Sequence, residues 1–134
     1  MTIFRIVTVL IGLIPLYLGG TGMLFGAAAM VPEPELYSLP AINALDSQYR
    51  YLAGVYVAVG LMILWSAGDV KGRASLMRFA MLGWFIGGCA RGLSWLTVGE
   101  PADWQVSGMI VELVVPVVIL LWQQRIVRSQ QNAL

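Results

Sequence analysis

Histidine is absent from the 134-residue chain, and cysteine occurs once, as Cys89. Histidine-ligated haem, thiolate–imidazole zinc sites, histidine-based catalytic triads and disulfide frameworks are thereby excluded. Charge is scarce too: Asp, Glu, Lys and Arg together make 11% of the residues, less than half the ~25% of an ordinary soluble domain. The 8 basic and 7 acidic side chains leave a formal net charge of +1, which offers no electrostatic footprint for nucleic acid. Apolar residues are what the chain has in quantity, at 59% of the total with a mean hydropathy of +0.80. That composition argues against a soluble enzyme. Since a bilayer-crossing helix needs ~20 mostly apolar residues, the length has room for one bundle of helices and little else.

Four apolar stretches are spaced along the chain. The first, approximately 6–29, follows Arg5 and would extend about 36 Å at 1.5 Å per residue. Ala27-Ala28-Ala29 resembles a signal-peptidase site, but the run before it exceeds the ~7–15 apolar residues of a secretory signal, so retention as a span is expected. From Val31 to Leu45, the prolines Pro32, Pro34 and Pro40, with Glu33 and Glu35, predict an extramembrane loop rather than a helix. Asp46 or Ser47 then serves as N-cap for a second span over 48–66. Asp69, Lys71, Gly72 and Arg73 make a short charged turn, a third span covers 76–95, and the loop Thr97-Val98-Gly99-Glu100-Pro101 leads to a fourth over 105–122. The polar tail from Gln123 to Leu134 frays or extends that last helix. The expected fold is all-α: one domain over 1–134, an integral membrane bundle of four transmembrane helices.

Basic residues set the orientation. Arg5, Lys71, Arg73, Arg78, Arg125 and Arg128 gather on one side, whereas the opposite loops carry Glu33, Glu35, Glu100 and Asp103. The positive side faces the cytoplasm, which places both termini there. Tyr49, Tyr51, Trp95 and Trp104 mark the outer interface, and Trp65 and Trp122 the inner one. Glycine is abundant, with 15 residues. The pairs Gly22/Gly26, Gly54/Ala58, Gly83/Gly87 and Gly88/Gly92 have the spacing that lets helices approach closely in lipid, and are expected mainly to pack the bundle internally. Pro15 and Pro116 should kink the first and fourth spans.

Two ionisable residues fall inside spans, Arg91 and Glu112. A charge near the bilayer centre costs ~3 kcal/mol on insertion scales, so each needs a partner or a wet cavity. The short loop makes the third and fourth spans antiparallel neighbours, and side chains that lean toward their own helix N-terminus bring the two heads together. Arg78 leans the other way and can snorkel to the cytoplasmic face. Arg50 lies one turn after Asp46, and Ser94 one turn beyond Arg91. The expected polar cluster or ligand site at the outer mouth is therefore Asp46, Arg50, Arg91, Ser94 and Glu112, either an ionic staple between spans or a place for an anionic or carbonyl-bearing head group. Cys89 is expected to be a small buried hydrophobe. Tyr17, Tyr56, Trp84, Phe85 and the seven Met residues are expected to be packing or lipid-facing surface rather than a cofactor box.

Three segments in order carry a wider resemblance: Leu45-Asp46-Ser47-Gln48-Tyr49-Arg50-Tyr51-Leu52-Ala53-Gly54, then Gly87-Gly88-Cys89-Ala90-Arg91-Gly92-Leu93-Ser94, then Glu112-Leu113 followed by Pro116. The chain resembles, over nearly its whole length, the small four-span bacterial membrane proteins grouped as domain of unknown function 4345. The resemblance implies a multi-pass protein of the bacterial inner (cytoplasmic) membrane and highlights Asp46, Arg50, Arg91 and Glu112. It implies no reaction.

Three functions compete. The first is a non-enzymatic accessory or assembly subunit that associates laterally with a larger membrane complex, or with copies of itself, through glycine-lined faces. The second is a binder or carrier of a small amphiphile, a lipid or quinone, at the outer Arg91/Glu112 region. The third is a membrane enzyme with Glu112 as general acid or base and Arg91 stabilising negative charge. No catalytic residue, cofactor, metal or nucleic-acid partner is expected on the first reading; the lipid bilayer is a partner on all three.

Overall fold

The computed structural model describes residues 1–27, Met30 and residues 38–131, with residues 130 and 131 as backbone only. Four helices follow one another: α1 (Thr2–Phe25), α2 (Leu39–Gly68), α3 (Ala74–Val98) and α4 (Asp103–Gln131). Each is a long run of residues with apolar side chains and few competing polar groups, so the backbone satisfies its own hydrogen bonds. Pro15 and Pro116 are buried within α1 and α4, and both helices continue through them.

The segment expected to be a loop up to Leu45 is helical from Leu39, so α2 starts nine residues before the sequence-based boundary at 48. The reason lies at Pro40. It occupies the first helical turn after the N-cap Ser38, where the N–H that proline lacks has no partner to lose. Pro32, Glu33, Pro34 and Glu35, with Ala28 and Ala29, lie outside the described residues. α3 runs beyond its expected end to Val98 and stops at Gly99, whose φ of 135° suits glycine. The tail after Gln123 extends α4 to Gln131, with Asp103 in its first turn and Arg128 in its last, the polarity that the helix dipole favours.

Among the described residues, Thr2–Phe25, Leu39–Gly68 and Asp103–Ser129 are long and apolar enough to cross a membrane. α3 falls short of that standard, which corrects the expectation of four such spans. Its length is sufficient, but Arg78, Arg91 and the glycines Gly83, Gly87, Gly88 and Gly92 dilute its apolar content.

α1 packs along α2 and α3 along α4, while α2 bridges to α3. At Gly19 a Cβ would lie 2.7 Å from the Ala53 carbonyl oxygen, so only glycine admits the α2 backbone there. α1 meets α4 chiefly near one end, where Phe4 stands edge-on to Trp122 with ring centroids 5.3 Å apart. That end also holds the core: Phe4, Ile63, Val70, Met77, Met81, Trp84 and Ile119 are buried against one another. The α2–α3 turn closes beneath it. Asp69 accepts the Gly72 N–H at 2.8 Å, Arg73 donates to the Trp65 carbonyl at 2.6 Å and stacks on its ring, and the buried Gln123 amide donates to the Val70 carbonyl at 3.4 Å. Toward the other end α1 and α2 stay in contact at Gly19 and Gly22, whereas from Leu93 to Glu100 every residue of α3 and its C-terminal turn is exposed.

Candidate functional site

Glu112 sits on the third turn of α4, 6% exposed. Its Oε2 accepts a hydrogen bond from Arg91 Nε of α3 at 2.8 Å, and Tyr56 of α2 donates to its Oε1 at the long distance of 3.5 Å. Three helices thus meet on one carboxylate. The approach depends on Gly88, one turn before Arg91: a Cβ there would lie 3.0 Å from Glu112 Cβ and 3.1 Å from Leu113. Tyr56 also sets its ring edge-on to Trp84, centroids 6.2 Å apart. The Arg91 side chain is 42% exposed, so its guanidinium reaches the surface while its Nε is engaged.

Asp46 and Arg50 do other work. Arg50 Nε donates to Asp46 Oδ2 at 2.7 Å, and its Nη1 donates to the carbonyls of Met23 and Leu24, the latter at 3.2 Å. Asp46 Oδ1 accepts the Ala27 N–H at 2.8 Å. One ion pair on α2 therefore satisfies the carbonyls that the last turn of α1 leaves without helical partners. Gly26 makes this possible. Its φ is 70°, and a Cβ would collide with Asp46 Oδ1 and lie 2.6 Å from Arg50 Nη2.

The expected five-residue cluster is accordingly divided. Arg91 and Glu112 are brought together, Asp46 and Arg50 turn to α1, and Ser94 is exposed with no hydrogen bond to Arg91 among the described residues. Six residues of α2, about 9 Å along the axis, separate Arg50 from Tyr56, and neighbouring helices draw the two positions to different partners. Tyr56 joins the site although its sequence setting predicts packing or lipid-facing surface; a hydroxyl within an apolar run requires an acceptor, and that is the signal which points to it. Cys89, expected to be buried, is exposed. With Gly88, Gly92, Leu93, Trp95, Leu96 and Leu113 it lines an apolar groove of about 500 Å³ on the stretch of α3 that carries Arg91. Among the described residues no His, Cys, Asp and Glu side chains group in threes or more to hold a metal ion.

The glycine pairs also divide. Gly22 and Gly88 pack within the chain, as expected of the spacing, but a Cβ at Gly83 or Gly87 would meet nothing within 4 Å.

Fold and site define an all-α bundle of membrane-protein character in which a buried carboxylate joins three helices. A family model described as Domain of unknown function (DUF4345) matches residues 3–123, and the chain belongs to that family. No curated protein and no solved structure matches it.

Proposed function

We propose that this protein is a non-enzymatic accessory or assembly subunit that crosses the bacterial inner membrane four times and docks laterally on a larger membrane complex through the open face of α3. The observation that carries the reading is the outward stripe of Gly83 and Gly87, around which the chain itself places nothing within 4 Å. Small residues four apart let another helix backbone come close, which is how helices associate where no hydrophobic gain is on offer. The same helix is the one that falls short of the apolar content of a free-standing span, so it gains most from being covered by protein rather than acyl chains. The basic residues Arg5, Lys71, Arg73, Arg78, Arg125 and Arg128 favour cytoplasmic termini.

A second reading is favoured by the groove on the stretch of α3 that carries Arg91: a small amphiphile, lipid or quinone, with its tail against Leu93, Leu96 and Leu113 and its polar head at the half-exposed guanidinium. One experiment separates the two. The tagged chain is purified from native membranes in gentle detergent and examined by native mass spectrometry. A stoichiometric protein partner, retained by the wild type and lost in Gly83→Leu/Gly87→Leu, is the expected result. Migration of the wild type as an isolated monomer overturns the docking reading, and a homo-oligomer reassigns the face to self-association. A small-molecule adduct lost in Arg91→Ala supports the second reading; a wild type that carries none ends it.

A further inference from the structure

The closed end of the bundle holds a cleft that neither reading uses. It lies between the start of α3 and the end of α4, has a volume of about 390 Å³, and is lined by Arg78, Gln124, Val127 and Arg128. We propose that this cleft binds the phosphate of an anionic phospholipid of the cytoplasmic leaflet. The inference rests on the bundle being embedded in a membrane, and not on the docking of α3.

Arg78 and Arg128 form no salt bridge with any described residue. Asp69, the one acidic side chain of the α2–α3 turn, already accepts the Gly72 N–H. Two guanidinium groups that border one cleft repel each other, and an anion between them removes that cost. Guanidinium presents a planar fork of N–H donors that matches phosphate oxygens two at a time, and the Gln124 carboxamide adds a neutral donor. The lining therefore offers the donors that a phosphate accepts.

The apolar surface next to the cleft favours a lipid over a soluble phosphate. One turn deeper from Arg78 lies Leu82, and one turn deeper from Gln124 lies Leu121, which are 49% and 54% exposed. Acyl chains that continue from a bound head group would run along these two side chains. The cleft is also at the end where Trp122 and the stacked Arg73–Trp65 pair lie, the kind of side chains that mark a membrane–water boundary.

The test is native mass spectrometry of the full-length, delipidated protein titrated with phosphatidylglycerol, with phosphatidylcholine of the same acyl chains, and with inorganic phosphate. Each arginine is expected to add about fivefold to the preference for phosphatidylglycerol, which corresponds to the ~1 kcal/mol of a basic residue beside an anionic surface. Arg78→Gln/Arg128→Gln should bind the two lipids equally, whereas Arg5→Gln/Arg125→Gln, which removes the same charge from the same end, should keep the preference. Helical circular dichroism confirms that each variant is folded, and Arg78→Lys/Arg128→Lys retains the charge if the glutamine variant is not. A wild type that binds both lipids equally, a preference that survives in Arg78→Gln/Arg128→Gln, or one lost equally in the control overturns the site. Displacement of phosphatidylglycerol by inorganic phosphate overturns the assignment to a lipid. Failure of the bundle to take up any lipid would instead count against its membrane setting.

Discussion

At the end where α1 begins and α4 finishes, Phe4 packs edge-on to Trp122, the Gln123 amide reaches the Val70 carbonyl, and Met77 and Met81 are buried in the same cluster. At the opposite end no large apolar side chain among the described residues is buried in this way; α1 and α2 meet closely at Gly19 and Gly22, and polar side chains make the other joins: Arg50 and Asp46 fasten α2 to the end of α1, and Glu112 gathers Arg91 and Tyr56 from α3 and α2. Packing is insensitive to salt and to one lost polar group. An ion pair is directional, and it leaves a partner stranded when one half is removed. The first end is therefore held by a continuous apolar core, while at the second α1 and α2 meet at glycines and α3 is tied to α4, with Tyr56 of α2, through Glu112. At the second end the stretch of α3 from Leu93, with the apolar groove it lines, is left open.

Three measurements break or sharpen that contrast. The largest effect belongs to close packing. Gly19→Leu drives a side chain into the α2 backbone and should cost about 3 kcal/mol or more of stability in detergent, read by thermal unfolding. Gly83→Leu, placed where no neighbour lies within 4 Å, should leave the isolated protein unchanged or slightly more stable. Equal losses from the two would show that the chain's own helices do not discriminate between those glycines.

The next effect is electrostatic and lopsided. Arg91→Met strands a carboxylate that is 6% exposed and should cost about 2 kcal/mol, the cost of a broken buried pair reduced because the arginine itself reaches the surface. Glu112→Gln leaves the half-exposed guanidinium free to turn outward and should cost less. The double variant should lose less than the sum of the singles; strict additivity in the cycle would mean that the pair contributes nothing at the open end. The smallest effect is that of Tyr56→Phe. The hydroxyl donates at 3.5 Å, so its loss should lower stability by only about 0.5 kcal/mol. A loss as large as that of Arg91→Met would make Tyr56, rather than the arginine, the main support of Glu112.

Much of the architecture can be read from the residues alone, and the departures have identifiable physics. Four helical runs are marked by apolar length, but the effect of a proline depends on its position in the turn: Pro40 in a first turn starts a helix that the same residue would break further in. Length and flanking aromatics point to α3 as a span, whereas two arginines and its glycines leave it short of the apolar content of the other three. The meeting of Arg91 and Glu112 follows from antiparallel neighbours joined by a short loop. The role of Arg50 does not, because the group it binds is backbone: carbonyls at the end of α1 leave no mark in side-chain chemistry.

By itself the sequence determined the class of the protein, since composition and the period of apolar residues decide how much surface must leave water and in what lengths. It determined as well which charges stand in apolar runs. Only the tertiary structure decided which glycines are occupied by a neighbouring helix and which face outward, which carboxylate gathers three helices, and which end of the bundle closes. Those outcomes depend on how helices rotate and cross, and identical small-residue spacings in Gly22/Gly26 and Gly83/Gly87 are compatible with either arrangement until the partner backbone is in place.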